Sequence, residues 1–109
     1  MRDFRFRAFS LETKKMQNWD FINDVKNIHK LLSLSHVVVM QFTGLKDYKG
    51  KEIYEGDIIL GYTRPHTVIW YDGAFYLSHK NSSIRLSRTC GKIEIIGNIY
   101  QNPELLSNS

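Results

Sequence analysis

The sequence predicts a mainly β fold carrying one helix, and three observations support that expectation. Turn chemistry recurs at a spacing of roughly ten residues, as a succession of short strands requires. Asp72-Gly73 stands between two aromatic-rich runs, His66 to Tyr71 and Ala74 to His79, and is the strongest short hairpin signal in the chain. Alternation gives way to a three- and four-residue apolar period only between Asp20 and Leu32. About five or six such strands make a small curled antiparallel sheet or an SH3-like barrel. The helix falls in the N-terminal half, and a short helical turn closes the C-terminus.

Each element has a local reason. Phe4-Arg5-Phe6-Arg7-Ala8 alternates, so a strand there puts Phe4, Phe6 and Ala8 toward the core and Arg5 and Arg7 outside. Ser10 to Asn18 is polar and reads as a connection. Phe21, Val25, Ile28 and Leu32 then line one helical face, widened by Ile22 and Leu31, with Asn18 or Asp20 placed as the cap. Val37 to Phe42 is β-branched and continuous, which reads as a strand buried on both faces. Asp47 to Gly50 and Tyr54 to Asp57 are turns, and the second launches a strand from Ile58 to Tyr62. Tyr62 to His66 and Asn81 to Ser83 read as loops. Ile84 to Ser87 and Lys92 to Ile96 read as strands, the latter ending at Gly97-Asn98. Asn102 suits an N-cap, Pro103 the first helical position and Glu104 the helix dipole, while Leu105 and Leu106 can pack that turn down.

The 109 residues make one domain over 1–109, with a strand-plus-helix extension over 1–35 and a β core over 36–106. A hydrophobic share of 42% and a charged share of 24% fit a folded domain rather than a disordered tail. The longest apolar runs, such as Val37 to Met40, fall far short of the roughly 20 residues a spanning helix needs. Arg2, Asp3, Arg5 and Arg7 break up the N-terminus, so no secretory signal is expected, and no membrane partner. Cys90 is the single cysteine, which excludes an intrachain disulfide and fits a reducing cytoplasm. The net charge is +4, but it is unevenly placed. Lys80, Arg85, Arg88 and Lys92 occur with no acid between them, and Arg2, Arg5, Arg7, Lys14 and Lys15 crowd the start. These two basic segments form one patch if the fold joins them, and otherwise are solvated faces.

Three blocks carry a resemblance. RFRAF (Arg5 to Phe9), MQFTGLKDYKGKEIYEGD (Met40 to Asp57) and IEIIGNIYQNPELL (Ile93 to Leu106) are similar, in order and separation, to the YopX family of small bacteriophage and prophage proteins. Val68-Ile69-Trp70 and Asp72-Gly73-Ala74-Phe75 look like that family's central hairpin. Phe42 stands where tyrosine is more usual, Gln101 where glutamate is, and Tyr48-Lys49 where the turn often reads Lys-Asn. The segment from Thr13 to Ser35 finds no counterpart. The resemblance implies a mainly β phage or prophage product with no assigned activity, acting in the cytoplasm of a bacterial host. Its motif residues have structural explanations: backbone freedom at Gly44, Gly50, Gly56 and Gly97, core at Ile53, and half-buried anchors at Tyr54 and Tyr100. Asp57, Asn98, Asn102 and Pro103 belong to its turns.

Catalytic chemistry needs paired groups, and few pairs are available. Glu52, Glu55 and Asp57 could act as acids and bases or hold a divalent ion, but Gly56 bends the chain among them and a solvated turn is the simpler account. His29, His36, His66 and His79 lack metal-ligand spacing; a hairpin centred on Asp72-Gly73 would set His66 opposite His79, but two ligands without a third or fourth make no zinc site. Cys90 beside Arg88 and Lys92 has cationic neighbours that lower a thiol pKa, yet a lone cysteine is more often a packing residue. No phosphate-binding loop or nucleophile elbow occurs. The expectation is therefore no enzyme and no cofactor or metal. Binding is the better reading: an accessory protein that engages a host or phage protein, with homo-oligomerisation through strand edges as one form of it. The alternative is a small basic nucleic-acid-binding β-domain. Arg5, Arg7, Lys80, Arg85, Arg88 and Lys92 would meet phosphates, and Tyr76, with Trp70, Tyr71 and Phe75 nearby, would stack bases.

Overall fold

Short strands joined by tight turns account for most of the described chain. The computed structural model describes residues 5–18, 36–61, 64–80, 82–89 and 92–107. Its strands are β1 (Phe6–Ser10), β2 (Met16–Gln17), β3 (Val37–Lys46), β4 (Glu52–Tyr54), β5 (Asp57–Gly61), β6 (Arg64–Tyr71), β7 (Ala74–His79), β8 (Ser82–Arg85) and β9 (Glu94–Asn98). A 3-10 turn, Leu86–Arg88, and a terminal helix, α1 (Glu104–Ser107), complete it. The fold is mainly β, as the sequence predicts, and the short C-terminal helical turn is present. The helix expected between Asp20 and Leu32 lies outside the described residues, as does Cys90.

The chain divides into two compact units, 1–42 and 43–109, with the division inside β3. In the first unit β1 lies between β2 and β3, antiparallel to both. The polar segment expected as a connection instead turns back at Lys14, in the left-handed region at φ 62°, so that Met16 and Gln17 pair with Phe9 and Ala8. Burial in β1 also departs from simple alternation. Ala8 and Phe9 are both 2% exposed, although they point to opposite faces, while Phe6 is only half-buried. Phe9 therefore shares its parity with Arg5 and Arg7, the face expected to be solvated. Strand β3 is longer than the predicted Val37 to Phe42. Its first three residues are half-buried, and only Met40 and Phe42, which share a face, are buried.

The second unit contains a five-stranded sheet in the order β8-β7-β6-β5-β9, antiparallel at each pairing. Its second half of β3 neighbours β4, where the Thr43 hydroxyl donates to the Ile53 carbonyl at 2.8 Å. Asp72 and Gly73 have φ of 48° and 81°, the two positive values of a type I′ turn, and this fixes the β6–β7 register. Thr67, Val68, Ile69, Trp70 and Tyr71 then face Ser78, Leu77, Tyr76, Phe75 and Ala74. One sheet face supplies Ile59, Val68, Phe75 and Leu77 to a core completed by Ile53, Leu86 and Ile93. Each fully buried side chain of this kind contributes about 1.5–3 kcal/mol. Ile58 and Ile59 point to opposite faces of β5 and are both fully buried, and the register shift opposite them leaves Ile96 of β9 as the extra residue.

Several turns are held by side chains rather than by backbone alone. Asp47, 6% exposed, accepts the amides of Lys49 at 3.0 Å and Lys51 at 2.9 Å with Oδ1. Its Oδ2 accepts the Ile95 amide at 3.1 Å, tying the β3–β4 turn to β9. Near the C-terminus, Asn98 Oδ1 accepts the amides of Tyr100 and Gln101, and its side-chain amide donates to Gln101 Oε1 at 2.7 Å. Asn102 spends its side-chain oxygen on the Asn98 amide, behind it, instead of forward into α1 as an N-cap would. Gly97 is in this motif for space and not for a positive φ: a Cβ there would stand 2.6 Å from Asn102 Oδ1.

Candidate interaction surface

The type I′ register decides which side chains of the central hairpin reach solvent together. Ile69, Tyr76 and Arg85 are direct partners in adjacent strands and therefore form a row on one face of β6-β7-β8. Tyr71 is the diagonal neighbour of Tyr76, and their rings meet edge to face with centroids 6.2 Å apart. The row lies on the face opposite Val68 and Leu77, so it does not feed the core. Tyr71 is 66% exposed, Tyr76 half-buried and Arg85 exposed. Trp70 and Phe75, on the core-side face, pack edge to face at 4.8 Å. Phe75 is buried, but Trp70 is 45% exposed because it sits at the hairpin tip, beyond the rest of the core. The tip therefore presents an indole from one face and a phenol from the other.

Within the second unit the described basic residues do not all join this surface. Arg5 and Arg7 belong to the first unit, both half-buried, and the Arg5 guanidinium stands 5.6 Å from the Phe42 ring centre. Lys80 is exposed at the β7–β8 turn with φ 51°, and Arg88 is exposed on the 3-10 turn. Lys92 stands 5.6 Å from the centre of the Tyr48 ring. Among the described basic residues of the second unit, only Arg85 is directly registered with an aromatic of the hairpin. Strand β8 ends the sheet order, with Ser82, Ser83 and Arg85 exposed, so the row runs out to a sheet edge.

The other candidate groups are placed as follows. Asp57 is not solvated: it is 1% exposed, and its Oδ2 accepts the Tyr54 amide at 2.8 Å, closing the β4–β5 turn. The sequence reading missed this because Gly56 draws attention to bending and not to what holds the bend. Glu52 Oε1 lies 3.5 Å from the Tyr54 hydroxyl. His66 and His79 do face each other, with ring centres 5.5 Å apart. The Nδ1 of His66 donates to the Arg64 carbonyl at 2.8 Å and that of His79 to the Pro65 carbonyl at 3.0 Å, since a carbonyl can only accept. Arg64 Nη1 lies 3.4 Å from His79 Nε2, the other ring nitrogen. Both rings are thus oriented by backbone. Among the described residues no group of three or more His, Cys, Asp or Glu is placed to hold a metal ion, and no helix is long and apolar enough to cross a membrane.

Comparison with known proteins agrees with this architecture. The chain is similar to a crystal structure of protein EF1440 from Enterococcus faecalis at 26% identity and a TM-score of 0.70, covering 98% of this chain and 100% of that one. No curated protein matches it. The family model described as YopX protein matches residues 5–107, which takes in β1 through α1 and the turns held by Asp47, Asp57 and Asn98. With nearly its whole length matched, the chain belongs to the YopX family.

Proposed function

We propose that the chain is a non-catalytic phage or prophage accessory protein that acts by binding another protein, self-association included. The observation that supports this reading is the hairpin tip and edge: Tyr71 and Tyr76 share a face with Arg85, Trp70 is exposed at the tip from the other face, and these strands lead to the terminal strand β8. Trp, Tyr and Arg are the residue types that dominate binding energy at protein interfaces, and the two aromatics lose little conformational freedom on docking. A terminal strand adds backbone pairing, either to a partner's strand or to a second copy across a two-fold axis. The proposed compartment is the cytoplasm of the bacterial host.

A second reading has one observation of its own. Arg85 directly opposite Tyr76, with Tyr71 against that ring, is an arrangement that can stack a base and meet its phosphate. Two measurements separate the readings. The first is sedimentation of the chain, alone and with host lysate fractions, before and after Tyr71→Ser with Trp70→Ser. Loss of the complex is the expected result, with a modest fall in melting temperature from the lost edge-to-face pairs with Phe75 and Tyr76. The second is anisotropy of labelled oligonucleotides at two salt concentrations. Affinity that falls steeply with salt and collapses in Arg85→Glu with Arg88→Glu would replace the protein-binding reading by the nucleic-acid one.

A further inference from the structure

A groove of about 260 Å³ lies in the second unit between the end of β3 and the segment that follows β8. It shares no residue with the hairpin surface. Leu86 and Ile93, both core residues, form its floor, and the exposed Leu45 and Tyr48 form its walls. Its volume is below the roughly 300–1,000 Å³ of small-molecule pockets and suits one or two apolar side chains of a peptide. Exposing two large apolar residues around a concavity is the pattern of a contact site rather than of scattered surface.

The rim is basic and incompletely neutralised. Lys46 lines the groove, and the ammonium groups of Lys49 and Lys92 stand 5.7 Å and 5.6 Å from the centre of the Tyr48 ring. Lys49 is bonded to Glu94 at 2.8 Å, which uses up that carboxylate. The Asp47 carboxylate is buried beneath the turn, facing three backbone amides, and its oxygens are not presented at the rim. Among the described residues, Lys46 and Lys92 have no acidic partner. A groove with an aliphatic floor and two rim lysines without acidic partners among the described residues is complementary to an apolar anchor flanked by carboxylates. Bases would find poor stacking here, because Tyr48 is the one aromatic among the described lining residues and lysine ammonium groups already attend it. We propose that this groove binds an acidic peptide segment of a partner protein, seating one or two apolar side chains between Tyr48, Leu45 and Leu86 while Lys46 and Lys92 meet its carboxylates.

The test uses the full chain and a fluorescein-labelled peptide, Glu-Asp-Leu-Phe-Glu-Asp, followed by anisotropy. Lys46→Glu with Lys92→Glu, both surface changes, is expected to weaken this peptide about ten-fold or more and to gain affinity for the analogue carrying lysines in place of the acids. A peptide of equal charge with serine in place of leucine and phenylalanine is expected to bind about ten-fold more weakly to the wild type. Absence of binding, equal binding of the serine peptide, or indifference to the double variant would each overturn the proposal, as would displacement of the peptide by an equimolar oligonucleotide. Tyr71→Ser, which tests the hairpin, should leave peptide affinity unchanged, so the two surfaces succeed or fail separately.

Discussion

Asp47→Ala should lower the stability of the second unit by about 3 kcal/mol, because one carboxylate serves three amides and hydrogen bonds to charged groups are worth about 1.5–3 kcal/mol each. The Lys49 and Lys51 amides can recover water in the variant, which keeps the loss below the full sum. The effect should depend on pH in a defined direction. Burial pushes the Asp47 carboxyl up, but the amides of Ile95, Lys51 and Lys49, with the charge of Lys51, outweigh it and hold the group below its ordinary 3.8. A group whose folded value lies below its unfolded value stabilises when ionised, so the contribution is complete above the unfolded value and lost as pH falls through the folded one. Urea unfolding of the wild type and of Asp47→Asn should therefore differ fully at neutral pH and converge well below pH 3.8. Asparagine keeps the shape and the Oδ1 acceptor, but turns an amide group toward the Ile95 N–H. A gap that closed near neutrality instead would mean that Asp47 is not the group responsible.

Local grammar carried much of this fold, and its failures have physical causes. Asp72-Gly73 fixed the β6–β7 register from sequence alone, and with it the approach of His66 to His79. The turns at Asp47 and Asp57 were legible as turns but not as side-chain anchors. The Ile95 amide that Asp47 accepts is 48 residues away, and no window of sequence contains both. Strand β2 escaped notice because two residues in a polar stretch have no period to detect. Phe9 was assigned to no face because alternation assumes one buried side, whereas the end of β1 is covered on both. For the interaction surface, residue types were readable and their grouping was not. Cross-strand register decides that Arg85 meets Tyr76 while Lys92 stands over Tyr48, and register between β7 and β8 has no strong turn signal to announce it.

Gly97→Ala tests the other long-range device, the fold-back of the C-terminal segment onto β9. Gly97 lies opposite Ile58, which is fully buried, and a Cβ at 97 would meet Asn102 Oδ1 at 2.6 Å and its Cβ and Cγ at 2.9 Å. These are not the free end of a flexible chain. Asn102 is held from both sides, its oxygen accepting the Asn98 amide at 3.2 Å and its own amide donating to the Asn98 carbonyl at 2.8 Å. Either β9 moves off β5 or the turn from Asn98 to Asn102 opens, and overpacking of this sort costs about 1–3 kcal/mol. Urea denaturation should place Gly97→Ala near the upper end of that range, with faster proteolysis near Leu105 and Leu106 as the turn loosens. The cause can be isolated with Asn102→Gly, which removes all three clashing atoms at the loss of one hydrogen bond. In that background Gly97→Ala should cost well under 1 kcal/mol, a coupling that a double-mutant cycle reads directly. Equal costs in both backgrounds would mean that position 97 needs glycine for its backbone and not for the room it gives Asn102.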